Sequence, residues 1–384
     1  MNLDLNEEQL MLKDSIEKFI QAEYSLEQRQ KILDTTGYNK THWQTFAELG
    51  WLSIPFEEQY GGFGGDMSDV AVVMEEFGKG LVLEPFISTL VIFGRLLQRV
   101  GSEQQKNEIL PKLISGEAQG KLAYIERQSR YAFTDVLTKA EKVTAGYKLS
   151  GSKVAVPFVD DSEYLIVLSR ISGEQADRRG LGLFLVDTNT SGLSTTEYQM
   201  MDGQRYFNVE LNNVDTIALL AQDEAAVAAI EATLNDAIIA SSAEGLGSMK
   251  SVQDLTVEYS KVRKQFDVPI GVFQVLQHRM VDMFISCEQM RSMLYRTLCS
   301  WQTLKVDDLS TEKAHDHHKN IHALKYMLGQ AGNEVAAEAV QLHGGMGMTE
   351  EMSVGHYLKR MRMLGALYGD ADYHLGQFNH VAYN

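Results

Sequence analysis

Gly146-Tyr147-Lys148-Leu149-Ser150-Gly151-Ser152-Lys153-Val154-Ala155-Val156 is the stretch on which the reading of the fold turns. It follows the breaker Ala145-Gly146 and lacks helical spacing of its apolar residues. Similar short runs lie on either side, at Leu137–Val143, Tyr164–Ser169, Leu181–Val186 and Tyr206–Leu211. Turn pairs such as Ser172-Gly173, Ser191-Gly192 and Asn212-Asn213 separate them. Strands at this spacing, without intervening helices, predict an antiparallel β-barrel or sandwich between about Gly120 and Val214.

Outward from that block, both flanks read as helix. On the N-terminal side, Asn6–Ala22 carries Leu10, Leu12, Ile16, Phe19 and Ile20 near helical spacing. Further helices are expected at Lys40–Leu49 with Gly50 as C-cap, at Met67–Phe77, at Pro85–Val100, and at Ser102–Leu113 with Ser102 as N-cap. A glycine-dense loop, Tyr60–Asp66, interrupts them. On the C-terminal side, Asp223–Tyr259, Gln274–Val306, Thr311–His343 and Glu350–Tyr368 predict long helices with short links, hence a four-helix bundle. The fold class is α+β and mainly helical. The expected domains are 1–117 (helical), 118–215 (β) and 216–384 (helical bundle).

Composition narrows the function. The 384 residues are 44% hydrophobic and 23% charged, an ordinary globular mix with enough chain for a sizeable core. A net charge of -17 repels phosphate backbones and disfavours nucleic acid as a partner. A local arginine or a helix N-terminus still suffices for a small anionic ligand. No apolar run reaches the ~18–20 residues of a membrane span. Met1–Asp14 is acidic, without the basic start and apolar core of a signal peptide. Cys287 and Cys299 are too few for a disulfide scaffold and form no Cys-x-x-Cys pair, so no metal and a reducing cytoplasmic setting are expected.

Several segments together resemble the acyl-CoA dehydrogenase flavoproteins. Tyr60-Gly-Gly-Phe-Gly-Gly65, Glu103-Gln-Gln-Lys106, Leu110-Pro-Lys-Leu113 and Ser115-Gly-Glu117 are similar to the family's N-terminal domain. Tyr147-Lys-Leu-Ser-Gly-Ser-Lys153 resembles its middle-domain hairpin. Arg263-Lys-Gln-Phe266, Pro269-Ile-Gly271, Phe273-Gln274 and Gln277-His-Arg279 resemble one C-terminal signature. Gln341-Leu-His-Gly-Gly-Met-Gly-Met-Thr349, followed by Tyr357-Leu-Lys-Arg360, resembles another.

The resemblance implies FAD held between subunits of a tetramer. Arg263 would meet the pyrophosphate, since a guanidinium can bridge two phosphate oxygens. Phe266 and Gln274 would enclose the adenosine half, Gln341 would aim an amide at the same region, and Gly344 and Gly345 would admit a close backbone approach. Read singly, Arg263 is more often one partner of a surface ion pair, Phe266 a core residue, and Gly344-Gly345 a helix C-cap. The middle domain departs from the family. The Thr-Glu-Pro-Gly loop corresponds to Ile125–Tyr131, where Glu126 survives, and the Trp-x-Thr segment flanking the flavin ring corresponds to Ala155-Val156-Pro157. Glu126, Arg127 and Arg130 are candidate contacts for the CoA thioester. Solvated loop arginines are the plain reading of Arg127 and Arg130.

The implied reaction is α,β-dehydrogenation of an acyl-CoA, in which a carboxylate takes the α-proton while hydride leaves for the flavin. The family's C-terminal base position falls on Gly369, and its second base position falls on Ala237 beside Asp236. Glu244, on the same helix, lies a turn or more away. Three readings stay open. Asp370 or Asp236 replaces the base after a local shift. The chain binds FAD within a heterotetramer and leaves catalysis to a related subunit, as in dehydrogenases of steroid and pimeloyl-CoA degradation. Or the chain is a non-catalytic structural partner. A homotetramer remains open, and an electron-transfer flavoprotein is the electron acceptor the family implies.

Overall fold

The computed structural model describes residues 4–144, 146–303 and 312–383. Ala145 of the Ala145-Gly146 breaker, Val306 at the expected end of one helix and Thr311 at the expected start of the next lie outside them. The chain divides into two compact units of interleaved segments, one from 32–66 and 83–237, the other from 1–31, 67–82 and 238–384. Each unit takes helices from the first hundred residues.

The first of these units carries the sheet. Its helices are α3 (Lys40–Glu48, N-capped by Asn39), α5 (Arg95–Val100), which continues a π-helical segment Ile87–Gly94, and α6 (Glu103–Ile114). Ser102 caps α6 in a capping box with Gln105, as its position predicts. The strands are β1 (Gly120–Ala123), β2 (Lys139–Val143), β3 (Gly146–Pro157), β4 (Tyr164–Arg170), β5 (Leu181–Asp187), β6 (Leu193–Gln199), β7 (Arg205–Asp215) and β8 (Ala218–Gln222). They form one sheet in the order β6-β7-β3-β2-β4-β5-β8, with β1 added on β4. Two expectations are corrected here. The sheet is mixed, because β1 and β2 both pair β4 in parallel. It is also no closed barrel, since β6 and β8 end the order as unjoined edges. Alternation of side chains reports strand content but not which neighbour a strand chooses, so parallel pairing was illegible in the pattern.

The inward faces of the strands share one apolar cluster of Leu149, Val156, Leu165, Val167, Phe184, Val186, Phe207, Val209, Leu211 and Val214, all buried. β6 reads Leu-Ser-Thr-Thr-Glu-Tyr-Gln and is largely exposed, which is why hydrophobic runs did not reveal it. β3 is bent by register shifts between Leu149 and Gly151 and between Lys153 and Val156 against β7.

The other unit is helical: α1 (Glu7–Glu23), α4 (Met67–Gly80), the greater part of α7 (Asp223–Val262), α8 (Gln274–Thr303), α9 (Glu312–Met327), a π-helical turn Leu328–Gly332, α10 (Asn333–His343), α11 (Ser353–Ala366) and α12 (Ala371–Tyr383). The short α2 (Leu26–Leu33) follows α1. α4 and α7 meet backbone to backbone. A Cβ on Gly78 would lie 1.9 Å from the Glu244 carbonyl oxygen, and one on Gly247 would lie 1.9 Å from that of Glu75. The Ser248 hydroxyl donates to the Gly78 carbonyl at 3.0 Å in the same seam. Between α7 and α8 a small hairpin forms, β9 (Lys264–Gln265) against β10 (Val268–Pro269). Among the described residues no helix is long and apolar enough to cross a membrane.

Candidate functional site

Gly369, the position matched to the family's C-terminal base, lies in the turn between α11 and α12. Tyr368 and Gly369 both have positive φ, 61° and 118°. Glycine is needed there twice over: for the left-handed backbone and for space. A Cβ on Gly369 would come within 2.4 Å of His374 Nε2 and 2.7 Å of Tyr373 Cδ1. The position therefore faces the imidazole of His374, itself only 1% exposed. His374 Nε2 lies 3.0 Å from the Tyr368 carbonyl oxygen, and its Nδ1 lies 2.9 Å from His322 Nδ1. Lys325 Nζ donates to the carbonyls of Leu364 and Gly365, both at 2.9 Å, and so caps the end of α11.

These three residues were missed in the sequence. The signal was faint: a histidine one turn into α12, and histidines crowded on α9. Burial pushes all three pKa values down, to about 4 for His374, about 3 for His322 and about 7 for Lys325.

The two aspartates weighed as replacement bases have other partners. Asp370 caps α12, its Oδ1 accepting from the Tyr373 backbone N–H at 2.9 Å. Asp236 is buried, and its Oδ2 takes Arg95 Nε at 2.7 Å and Arg99 Nη2 as well. Burial pushes the Asp236 pKa up, but the two guanidinium charges outweigh it and hold the carboxyl below its ordinary value. A carboxylate so engaged is a poor proton acceptor. Ala237 is buried, and Glu244 is spent on Arg360, Nε to Oε1 at 2.6 Å and Nη2 to Oε2 at 3.0 Å.

Three of the candidate nucleotide-binding residues, Arg263, Phe266 and Gln274, lie between the end of α7 and the start of α8. Arg263 follows α7, and its carbonyl accepts from the Ile270 N–H at 2.8 Å, closing the hairpin base. The hairpin turn is Phe266-Asp267, with φ of 54° and 64°. Such left-handed pairs normally use Asn-Gly, so this turn is strained. Phe266 is 88% exposed, against Phe273 at 6.2 Å between ring centroids. Gln274 opens α8 and is exposed, as is Arg263. On the other signature, Gln341 is exposed on the last turn of α10, and Gly344 and Gly345 follow it. An added Cβ at either glycine meets nothing within 4 Å. An exposed guanidinium, a projecting aromatic ring, two primary amides and an open glycine step are the kinds of group that fit the adenosine diphosphate half of FAD.

The ring half fits less well. The Ala155 N–H, at a bulge with φ of 57°, already donates to the Tyr198 hydroxyl at 3.1 Å. Pro157 has neither N–H nor hydroxyl to offer.

Glu126, weighed as a substrate contact, is 4% exposed and turned into its own loop. It accepts from Lys153 Nζ at 2.6 Å and from the backbone N–H groups of Leu137 and Thr138 at 2.8 and 3.0 Å. Burial would raise its pKa, yet the Lys153 charge and these donors hold it at about 2. Arg127 and Arg130 are exposed, and Arg127 edges a shallow cavity of about 460 Å³ with Gln128, Ser152 and Glu210. Among the described residues no group of three or more His, Cys, Asp or Glu side chains gathers as a metal site.

Comparison with known proteins gives two family matches. The acyl-CoA dehydrogenase N-terminal domain matches residues 6–117, and the acyl-CoA dehydrogenase C-terminal domain matches 227–382. Acyl-CoA dehydrogenase FadE12 of Mycobacterium tuberculosis is 27% identical over 84% of this chain and 82% of its own. Of solved structures, a variant of the Tcur3481-Tcur3483 steroid ACAD superposes with a TM-score of 0.86 at 25% identity, covering 98% of each chain. The ChsE4-ChsE5 complex from Mycobacterium tuberculosis has a TM-score of 0.87 at 20% identity, covering all of both chains, a likeness of fold.

Proposed function

Because the chain belongs to the acyl-CoA dehydrogenase family, we propose that it is an FAD-binding subunit for α,β-dehydrogenation of an acyl-CoA thioester, with the catalytic carboxylate supplied by a related subunit. The observation that carries this is Gly369, whose missing side chain would point at His374, 2.4 Å from its would-be Cβ. Bound FAD would supply the hydride acceptor. Arg263, Phe266, Gln274, Gln341, Gly344 and Gly345 would hold its nucleotide half. Proton abstraction needs a carboxylate within hydrogen-bond reach of the acyl α-carbon. Gly369 and Ala237 carry none, and Asp370 and Asp236 are engaged by backbone and arginine.

Assembly is supported by α8. Val281, Phe284 and Ile285 on it are 53%, 51% and 45% exposed, an apolar patch on one face that water does not favour. A heterotetramer covers such a patch, and the names of both solved neighbours join two designations, Tcur3481-Tcur3483 and ChsE4-ChsE5. One neighbour is named a steroid ACAD, which makes a steroid side-chain CoA thioester the first substrate to try. An electron-transfer flavoprotein is the proposed acceptor, and the cytoplasm the proposed setting.

A second reading, a structural partner without flavin chemistry of its own, is favoured by Pro157 and the committed Ala155 N–H. One experiment separates them. The chain is purified alone and co-expressed with a base-bearing relative, then titrated anaerobically with acyl-CoA while the flavin spectrum is followed. A yellow chain that bleaches only in the mixture supports the first reading. A colourless chain that nonetheless raises its partner's turnover supports the second. Bleaching by the isolated chain refutes the assignment of the base to a partner.

A further inference from the structure

Resting on the assignment of position 369 as the lost base position, we propose that His374, oriented by His322, is a positioning residue that locks this position into the helical interior. The chain is then silent as a proton abstractor through its backbone, not merely through one missing carboxylate.

The hydrogen-bond roles fix the arrangement. A carbonyl oxygen only accepts, so His374 Nε2 must carry the proton that it gives to the Tyr368 carbonyl at 3.0 Å. His374 Nδ1 is then a lone pair, and the His322 Nδ1–H donates to it at 2.9 Å. The two neutral rings thus form a directed chain that ends on the carbonyl between two left-handed residues. Lys325 on the same helix as His322 ties down the Leu364 and Gly365 carbonyls. On the far side, the His374 N–H donates to the Asp370 carbonyl at 3.0 Å, so α12 begins at once and brings the imidazole under Gly369. Ala371 rests against Gly329 of the π-helical turn, 3.0 Å from where a Cβ would stand. The turn is held from α9, from the π-helical turn and from α12 together. A side chain at 369 would be aimed at the ring of His374.

The consequence is specific. Gly369→Glu alone adds a side chain with nowhere to go. Gly369→Glu with His374→Ala removes the nearer of the two obstructing rings, leaving that of Tyr373, together with the bond to Tyr368, and lets the turn re-form with the carboxylate outward. The test uses the full chain and hydrogen exchange of the 366–374 segment by mass spectrometry, with ¹⁵N shifts of the imidazoles. His322→Leu should raise exchange there about tenfold, as expected for one buried hydrogen bond, and scramble the His374 tautomer. His322→Gln, which keeps an N–H donor, should restore both. Unchanged exchange and an unchanged tautomer in His322→Leu would overturn the lock.

Solvent-deuterium wash-in at the acyl α-carbon then examines the base assignment separately. The double variant should show it and Gly369→Glu should not. A loosened turn in the double variant without wash-in would count against position 369 as the base position while leaving the lock standing. Wash-in by Gly369→Glu alone would sink the lock.

Discussion

Arg360 grips Glu244 with two parallel hydrogen bonds, Nε to Oε1 at 2.6 Å and Nη2 to Oε2 at 3.0 Å, with both side chains buried. The pair ties α11 to α7 in the helical unit. Planar guanidinium and carboxylate match in this geometry, and a lysine cannot reproduce it. Arg360→Met leaves Glu244 as an uncompensated buried charge and should cost about 3–5 kcal/mol in urea unfolding. Glu244→Gln with Arg360→Met should recover much of that loss. Equal losses in the single and double variants would mean that packing, not charge, is what Arg360 supplies.

Lys153 and Glu126 make the equivalent pair in the sheet unit, 2.6 Å apart with side chains 0% and 4% exposed. Glu126 also fixes the loop that would carry Arg127 and Arg130. Lys153→Met is expected to destabilise by about 3–5 kcal/mol. It should also free the loop, visible as faster hydrogen exchange at Leu137 and Thr138, whose N–H groups donate to Glu126.

His322 and His374 should make the fold acid-sensitive. Their folded pKa values, about 3 and about 4, lie below the ordinary 6.5. Below pH 6.5 the unfolded chain binds protons that the folded one refuses, so stability is complete above that value and falls as pH drops towards 4. The slope is at most about 1.4 kcal/mol per pH unit for each ring. Burial is the main cause; His318 beside His322 and Lys325 beside His374 lower the values further, while the Tyr368 carbonyl and Asp370 oppose the shift of His374. Replacing both histidines with glutamine should flatten the urea midpoint between pH 6.5 and 5. An equally steep curve in that variant would place the acid sensitivity elsewhere.

Gly247→Ala should be among the most damaging single-methyl additions in the chain. Its Cβ would sit 1.9 Å from the Glu75 carbonyl oxygen, and backbone cannot rotate away as a side chain can. The helices α4 and α7 must separate, at a cost of about 3 kcal/mol or more. Thermal unfolding measures it, with Gly376→Ala, whose Cβ meets nothing within 4 Å, as the silent control.

Phe266 sets stability against binding. It is exposed and held at φ 54°. Phe266→Gly should leave the chain as stable or up to about 1 kcal/mol more stable, since glycine adopts that conformation without strain. The same change should weaken retention of added FAD about tenfold if the ring packs on the nucleotide. Unaltered FAD retention on gel filtration would remove Phe266 from the cofactor site.

Much of this molecule was written locally. The capping box at Ser102, the long run of α7 and the strands at Gly146, Tyr164 and Leu181 follow from spacing and caps, because those signals act within a few residues. The polar edge strand β6 and the short β1 escaped, one for want of hydrophobic pattern and the other for length. Among candidate site residues, Arg263, Phe266, Gln341 and the Gly344 step were read from contiguous motifs, and the structure leaves them exposed.

The order of helix, strand and helix, the family and the presence of a glycine at 369 were determined by sequence alone, since residue identity and local period suffice for each. Tertiary structure decided what those facts mean. It showed that Asp236 is neutralised by Arg95 and Arg99, that Glu126 is spent on Lys153, and that Gly369 faces His374, which is paired with His322 of α9. Charge compensation and steric exclusion act between residues distant in the chain, and no local pattern encodes which of them will meet.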